Sequence, residues 1–305
     1  MTLLSRAMDG ILNINKPQGE TSFSIVAKVK RLIGERRVGH AGTLDPMATG
    51  VLPVCLGQGT RVVEFLADAN KSYRAQIELG VTTDTYDATG RITAKKDSSG
   101  ISQRQFETAL NSFRGAIQQT PPMYSAIKYH GKPLYHLARA GLRVELQSRL
   151  IQVYRLELLD WRPPLASIEI ECGKGTYVRS LAHDLGLTLG CGANLISLIR
   201  LRCGQFEIKD SITMSQLEGE FRHGYWHRFV YPIDIVLSHW MAVVVNDDTA
   251  MAIRNGRPVH LDNDTLPSSK ARCRVYASDG RFLGIVQFNS EKGHWQPTKV
   301  LMKSV

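Results

Sequence analysis

Between residues 10 and 15 apolar and polar side chains alternate, the two-residue period of a half-buried strand. Pro17 and Gly19 break the pattern, and Thr21 and Ser22 supply a helix cap. From there Ile25, Val26, Val29, Leu32 and Ile33 fall on one face at helical spacing. Lys28, Lys30 and Arg31 lie away from it, and Gly34 ends the run. Residues 71–79 alternate strictly, with Tyr73, Ala75, Ile77 and Leu79 on one face, and predict a strand. Ser102 and Gln105 have capping-box spacing ahead of Phe106, Ala109, Leu110 and Phe113, a helix expected to run to Gly115. Ile168, Ile170 and Cys172 alternate with Glu169 and Glu171. A further helix follows near Tyr177, with Leu181, Ala182, Leu185 and Leu189 on one side.

These elements interleave without a strict βαβ rhythm, which predicts an α+β fold on a mixed sheet. Residues 36–59, rich in glycine and proline, are expected to open a loop. A basic aromatic stretch at 221–231 interrupts the pattern, and beyond it 240–245, 274–277 and 282–288 look strand-like. The expected organisation is therefore a domain over 1–231 and a small β-rich unit over 232–305.

Charge sharpens this picture. Lys and Arg number 38 against 28 Asp and Glu, a formal excess of +10. Such an excess favours a polyanionic partner, because neutralised phosphates release condensed counterions. The five cysteines, at 55, 172, 191, 203 and 273, are scattered without a C-x-x-C pair, and read as small buried hydrophobes in a reducing compartment. No apolar run approaches the ~20 residues of a membrane span and no secretory leader is evident, so a cytoplasmic location is expected.

The densest chemical signal is Gly39-His-Ala-Gly-Thr-Leu-Asp-Pro-Met-Ala-Thr-Gly50. Its glycines permit tight turns, and Pro46 stiffens Asp45, presenting an ionised carboxylate near His40. Taken alone, an Asp-Pro pair is more often a plain turn with an Asx hydrogen bond. Phosphate-loop, dinucleotide and zinc spacings are absent. Asp84 and Asp87 are too few for a metal site and read as a solvated turn. Arg179 falls at a helix N-terminus, poor placement for a cation unless an anion partners it; a plain surface arginine is equally compatible. Tyr73 is either a core ring or a base-stacking one. Lys71, Arg74 and the rings and cations between 123 and 139 form a mixture suited to RNA loops, and equally to a solvated helical hairpin.

Several strings in order carry a resemblance to a known family. They are Gly10-Ile-Leu-Asn-Ile-Asn-Lys-Pro-x-Gly-x-Thr-Ser22, the loop at 39–53, Lys71-x-Tyr-Arg74, Pro121-Pro-Met-Tyr-Ser-Ala-x-Lys128, Gly175-Thr-Tyr-Val-Arg179 and Leu198-x-Arg200. Over essentially its full length the chain resembles the TruB family of tRNA pseudouridine synthases. The resemblance implies a mixed-sheet catalytic domain, a PUA-like RNA-binding C-terminal unit, and an insertion at about 120–150 that clamps the T-arm of tRNA. By motif position Asp45 is the expected nucleophile and Arg179 its ion-pair partner. Tyr73 is expected to stack on the target base, and Tyr177 to accept the C5 proton. His40 is expected to support the RNA once its base leaves the stack, Lys16 to brace the loop, and Leu198 to line the pocket. Arg200 and Lys128 complete the expected substrate-binding set. Ile199 stands where the family usually has an arginine, with Arg202 nearby to compensate. No cofactor, metal or obligatory protein partner is expected, since the isomerisation is redox-neutral. Rival readings are an RNA chaperone for tRNA and a guide-dependent relative.

Overall fold

A computed structural model of the chain describes residues 8–301 apart from 126, 130, 143 and 262–270. Ala126, His130 and Arg143 of the expected clamp therefore lie outside the described residues.

A ten-stranded sheet organises the first two thirds of the chain. From one edge its path runs Val230–Tyr231, Gly10–Lys16, Thr49–Leu56, Ala193–Cys203, Lys71–Leu79, Leu165–Cys172, Arg149–Arg162 and Gly115–Gln119. Val38–His40 and Phe206–Glu207 pair beside this path. Pairing is antiparallel except where Thr49 and Gly50 run parallel to Ile199 and Arg200, so the sheet is mixed. Strand alternation decides which side chains meet the helices. Tyr73, Ala75, Ile77 and Leu79 share one core with Ile25 and Val29 of helix Ser22–Ile33, Phe106 of helix Gln103–Asn111 and Leu181 of helix Val178–Thr188.

Helix ends follow local chemistry. The Thr21 hydroxyl accepts from Ser24 N at 2.9 Å, a cap worth about 1 kcal/mol. Gly34, at φ 71°, closes that helix in the left-handed conformation. Ser102 and Gln105 form the reciprocal capping box. Their helix stops at Asn111, four residues before the expected end; Gly115 instead opens the strand Gly115–Gln119.

The expected loop at 36–59 is corrected in part. It contains the strands Val38–His40 and Thr49–Leu56, and the loop proper is confined to 41–48. Thr49–Leu56 is buried on both faces. Leu52 and Val54 join the helical core, while Val51 and Cys55 face a second core with Ile11, Phe206 and Leu237. A strand covered on both sides needs no polar alternation, which is why it escapes a period-two reading.

Met241–Val245, Arg272–Ala277, Phe282–Asn289 and His294–Val300 form a separate four-stranded sheet with helix Asp247–Arg254 packed on it. Ile285 and Leu301 of this unit enter the second core beside Val236 and Leu237, and Lys299 pairs with Glu64 at 2.7 Å. All five cysteines are buried and free. Burial pushes the Cys55 thiol up to about 12 and Cys172 to about 11, the behaviour of inert core side chains. Among the described residues no helix is long and apolar enough to cross a membrane.

Candidate active site

The loop 41–48 rests on two buried cations. Lys16 is fully buried at the end of its strand, and its Nζ donates to the carbonyls of Pro17 (2.8 Å), Glu20 (2.7 Å) and Pro46 (3.4 Å). Burial lowers its pKa to about 8, against the pull of Glu20 and Asp45. Arg200 is 1% exposed; its Nε donates to Val51 O at 2.6 Å and its Nη2 to Gly42 O at 3.0 Å. Ser22 ties the loop from a third side, its hydroxyl accepting from Leu44 N at 2.9 Å. Buried polar groups bonded this fully fix the backbone that carries Asp45.

Glycine is required where the loop re-enters the sheet. Gly50 has φ 100°, and a Cβ there would lie 2.3 Å from Arg200 O and 2.9 Å from Arg200 N. The parallel pairing with Arg200 therefore depends on a residue without a side chain.

Asp45 meets Arg179 edge-on. Arg179 Nε lies 2.8 Å from Asp45 Oδ2, and Nη2 donates to Oδ1 at 3.2 Å. The same guanidinium reaches Asp87 Oδ2 (Nη1, 3.4 Å), Thr85 O (3.2 Å) and Tyr124 O (3.0 Å). The arginine and Asp87 side chains are 5% and 4% exposed, whereas Asp45 keeps 34% of its surface open. One cation thus faces two carboxylates, and the cluster retains one net negative charge. Removal from water raises the Asp45 pKa; Arg179 opposes the rise and the Asp87 carboxylate adds to it. An arginine partner alone would lower it, as sequence reasoning expects, but burial and the second carboxylate outweigh it.

Asp87 corrects the reading of 82–90 as a solvated turn. Its carboxylate accepts from Thr85 Oγ1 (2.8 Å), Thr89 N (3.0 Å) and Thr89 Oγ1 (2.5 Å), and its backbone bridges to Leu195. The segment is a turn, but one folded inward. Among the described residues no group of three or more His, Cys, Asp or Glu side chains is arranged to hold a metal ion.

Three family models match the chain in series. That for the TruB family pseudouridylate synthase N-terminal domain matches residues 30–178, a tRNA pseudouridylate synthase B C-terminal domain 179–238, and a pseudouridine synthase II TruB C-terminal model 242–301. A protein of Dehalococcoides mccartyi named tRNA pseudouridine synthase B is 45% identical over 296 residues, covering 97% of each chain. Its namesake in Pseudomonas aeruginosa is 39% identical, covering 98% of this chain and 97% of its own. The chain belongs to the TruB family. Among solved structures, a Cbf5–Nop10–Gar1 complex contains a chain 26% identical with a TM-score of 0.74, covering 96% of this chain and 85% of that one.

Within this TruB architecture the other expected residues separate. Tyr73, 9% exposed, sits between Ile170 and Arg200 of neighbouring strands. Burial pushes its phenol up to about 12, although the Arg200 guanidinium pulls it down. Leu198 is buried on the strand that carries Arg200. Tyr177 caps helix Val178–Thr188, two residues before Arg179, and its backbone exchanges two hydrogen bonds with the Gln119 amide at 2.8 and 3.1 Å. Burial raises its phenol, with the Ser125 hydroxyl and Asp45 as neighbours. A phenolate at pH 7 would cost more than about 4 kcal/mol, three units from the ordinary tyrosine value. Tyr177 is therefore a neutral phenol in the resting site. His40 is half-buried on the strand Val38–His40, and burial holds its imidazole below the ordinary histidine range.

Lys128 does not join this cluster; it is exposed on the small hairpin of Lys128–Tyr129 with Lys132–Pro133. Lys71 is also corrected as a candidate RNA-facing cation. It is 6% exposed and donates to Ala69 O at 2.6 Å and Leu66 O at 3.4 Å, capping helix Val63–Asp68. Arg74 is exposed but paired with Glu169 at 3.2 Å. Arg202, the nearby arginine, pairs with Glu171. Sequence reasoning missed Asp87, Gln119 and Arg149. Arg149 pairs across the sheet with Gln119, is exposed beside Tyr177, and has no acidic partner among the described residues.

Proposed function

We propose that the chain isomerises uridine to pseudouridine at position 55, in the T-loop of tRNA, with Asp45 as nucleophile. The observation that carries this reading is a carboxylate one-third open to solvent, gripped on its inner side by a buried arginine that a second carboxylate holds in place. In the reaction the N1–C1′ bond breaks, C5–C1′ forms, and the C5 proton is exchanged for one on N1, so no oxidant or energy source is consumed. Asp45 acts by adding to C6 of the uracil or to C1′ of the ribose; both require an ionised oxygen and a base swung out of its stack. Extrusion costs a few kcal/mol, and stacking on Tyr73, worth about 1–3 kcal/mol, offsets part of it. His40 supports the RNA where the base has left, and Leu198 packs beside the pocket. Lys16 and Arg200 act from beneath, as braces of the loop rather than as direct ligands.

Residues 1–231 form the catalytic unit in this reading, and 232–305 a PUA-like unit that adds RNA contact. The 120–150 segment, with Lys128 exposed on it, reaches the T-arm. The excess of +10 supports a polyanionic substrate. The isomerisation consumes no cofactor, and in this reading the enzyme acts in the cytoplasm without an obligatory protein partner. The likeness to a Cbf5 chain, found in complex with Nop10 and Gar1, favours one second reading, in which partner proteins or a guide are needed. Unmodified tRNA carrying C5-tritiated uridine separates them. Tritium release from purified chain and tRNA alone, stoichiometric with one uridine at position 55, supports the first; release only with added protein or guide RNA supports the second.

A further inference from the structure

Thr85, Tyr86 and Asp87 grip helix Val178–Thr188 at two successive turns. At the first turn the Thr85 carbonyl and the Asp87 carboxylate both meet Nη1 of Arg179, at 3.2 and 3.4 Å. At the next, the Tyr86 ring lies on His183 with centroids 3.8 Å apart and planes inclined by 13°. Arg179 and His183 are four residues apart and so share one face of the helix. Tyr86 has φ 65°, and among the described residues no other non-glycine residue has positive φ. A bulky residue enters the left-handed region only where its surroundings hold it there. Here Leu195 N donates to Tyr86 O at 3.0 Å, Tyr86 N donates to Thr83 O at 3.3 Å, and the ring is held by the imidazole.

We propose that the Tyr86–His183 stack positions the catalytic ion pair: it locks the left-handed turn against the helix, keeps Thr85 and Asp87 on Arg179, and so fixes how the guanidinium meets Asp45. This rests on the reading of Asp45 as nucleophile. His183 serves through the face of its ring. Its Nδ1 is buried without a hydrogen-bond partner among the described residues, and burial holds the imidazole below the ordinary histidine range, hence neutral near pH 7. Phenylalanine should therefore replace His183.

The test is tritium release from tRNA by Tyr86→Gly, His183→Phe and His183→Ala. His183→Phe should stay within about two-fold of the parent kcat, while Tyr86→Gly and His183→Ala lose about ten-fold with KM nearly constant, the pattern of a lost transition-state contact. In the two impaired variants the acid limb of the kcat profile should also move to higher pH, because a loosened Arg179 no longer favours the ionised carboxylate. A defect of packing alone would lower the melting temperature without moving that limb, and would overturn the proposal. So would parent-like kcat in His183→Ala, or equal loss in His183→Ala and His183→Phe. If Tyr86→Gly does not fold, the two His183 variants, which leave the turn's sequence intact, decide by the same criteria. A parent enzyme that releases no tritium removes the Asp45 reading itself, and this proposal with it, a result distinct from failure of the stack variants alone.

Discussion

Arg179 and Asp87 lie 3.4 Å apart with both side chains almost wholly buried, so the cation that meets the candidate nucleophile is itself held by a second carboxylate. Splitting one guanidinium between two acids leaves Asp45 less neutralised than a simple pair would. Burial raises its pKa first, Arg179 lowers it, and Asp87 raises it again.

Asp87→Asn follows with a definite sign. Removing the second negative charge removes one influence that raises Asp45, so the acid limb of kcat/KM should move to lower pH. Arg179 keeps its bonds to the Thr85 and Tyr124 carbonyls and so stays on Asp45, while loss of the charged Asp87 contact should lower kcat by about ten-fold. A pH profile of tritium release reads both effects; a limb that moves upward contradicts the electrostatic account.

Gly50→Ala should be more damaging than Gly42→Ala, the one in the strand that follows the loop and the other in the loop itself. Gly42 has φ 81°, and a Cβ there would find only Arg200 Nη1 at 3.4 Å and Lys71 Cε at 3.8 Å. At Gly50 the obstacle is the Arg200 backbone at 2.3 Å, which cannot move without parting two strands. Both incur left-handed strain of about 1–3 kcal/mol, and only Gly50→Ala adds a backbone clash. Thermal unfolding should rank Gly50→Ala well below Gly42→Ala; equal melting temperatures would contradict the strand contact.

Lys16→Met should cost stability and activity together. Three carbonyls would lose their donor, and a buried unsatisfied polar group costs about 1–3 kcal/mol. The pH dependence is signed as well. The folded pKa is about 8 and the unfolded one near 10.5, so the unfolded chain binds more protons between them. The Lys16 contribution is thus least favourable below pH 8 and improves as pH rises toward 10.5. Denaturant titrations across that window should show the rise in the parent and a flatter profile in Lys16→Met.

Arg149→Gln should weaken tRNA binding without changing the chemical step. An exposed arginine beside Tyr177 with no acid to neutralise it among the described residues is available to a phosphate. Loss of one phosphate contact should reduce the slope of log K against log salt by about 0.7–0.9. An unchanged slope would place Arg149 off the RNA path.

Much of this was legible in the chain. The helix Ser22–Ile33 was marked by Thr21, its apolar stripe and Gly34, because local caps and period decide it. Lys71–Leu79 was marked by strict alternation. Asp45 and Arg179 stood out through motif strings, whereas spacing alone left both open. The central strand Thr49–Leu56 did not stand out, because burial on both faces erases alternation and Pro53 counts against an interior strand. His294–Val300 was hidden by its polar residues. Asp87 was hidden by composition: threonine, aspartate and glycine read as a wet turn, and only contact with a distant helix turns that segment inward. Lys71 was misread for the converse reason, since a lysine capping carbonyls inside the fold has the same letter as one on the surface.

The most direct test of the account is Asp45→Asn, assayed for tritium release on C5-labelled tRNA under single-turnover conditions, with melting measured on the same sample. The account predicts no release above background from a protein that melts at or above the parent temperature, since a carboxylate whose pKa the fold raises costs stability when ionised at neutral pH. Pseudouridine formed by folded Asp45→Asn at a rate near the parent's would contradict it.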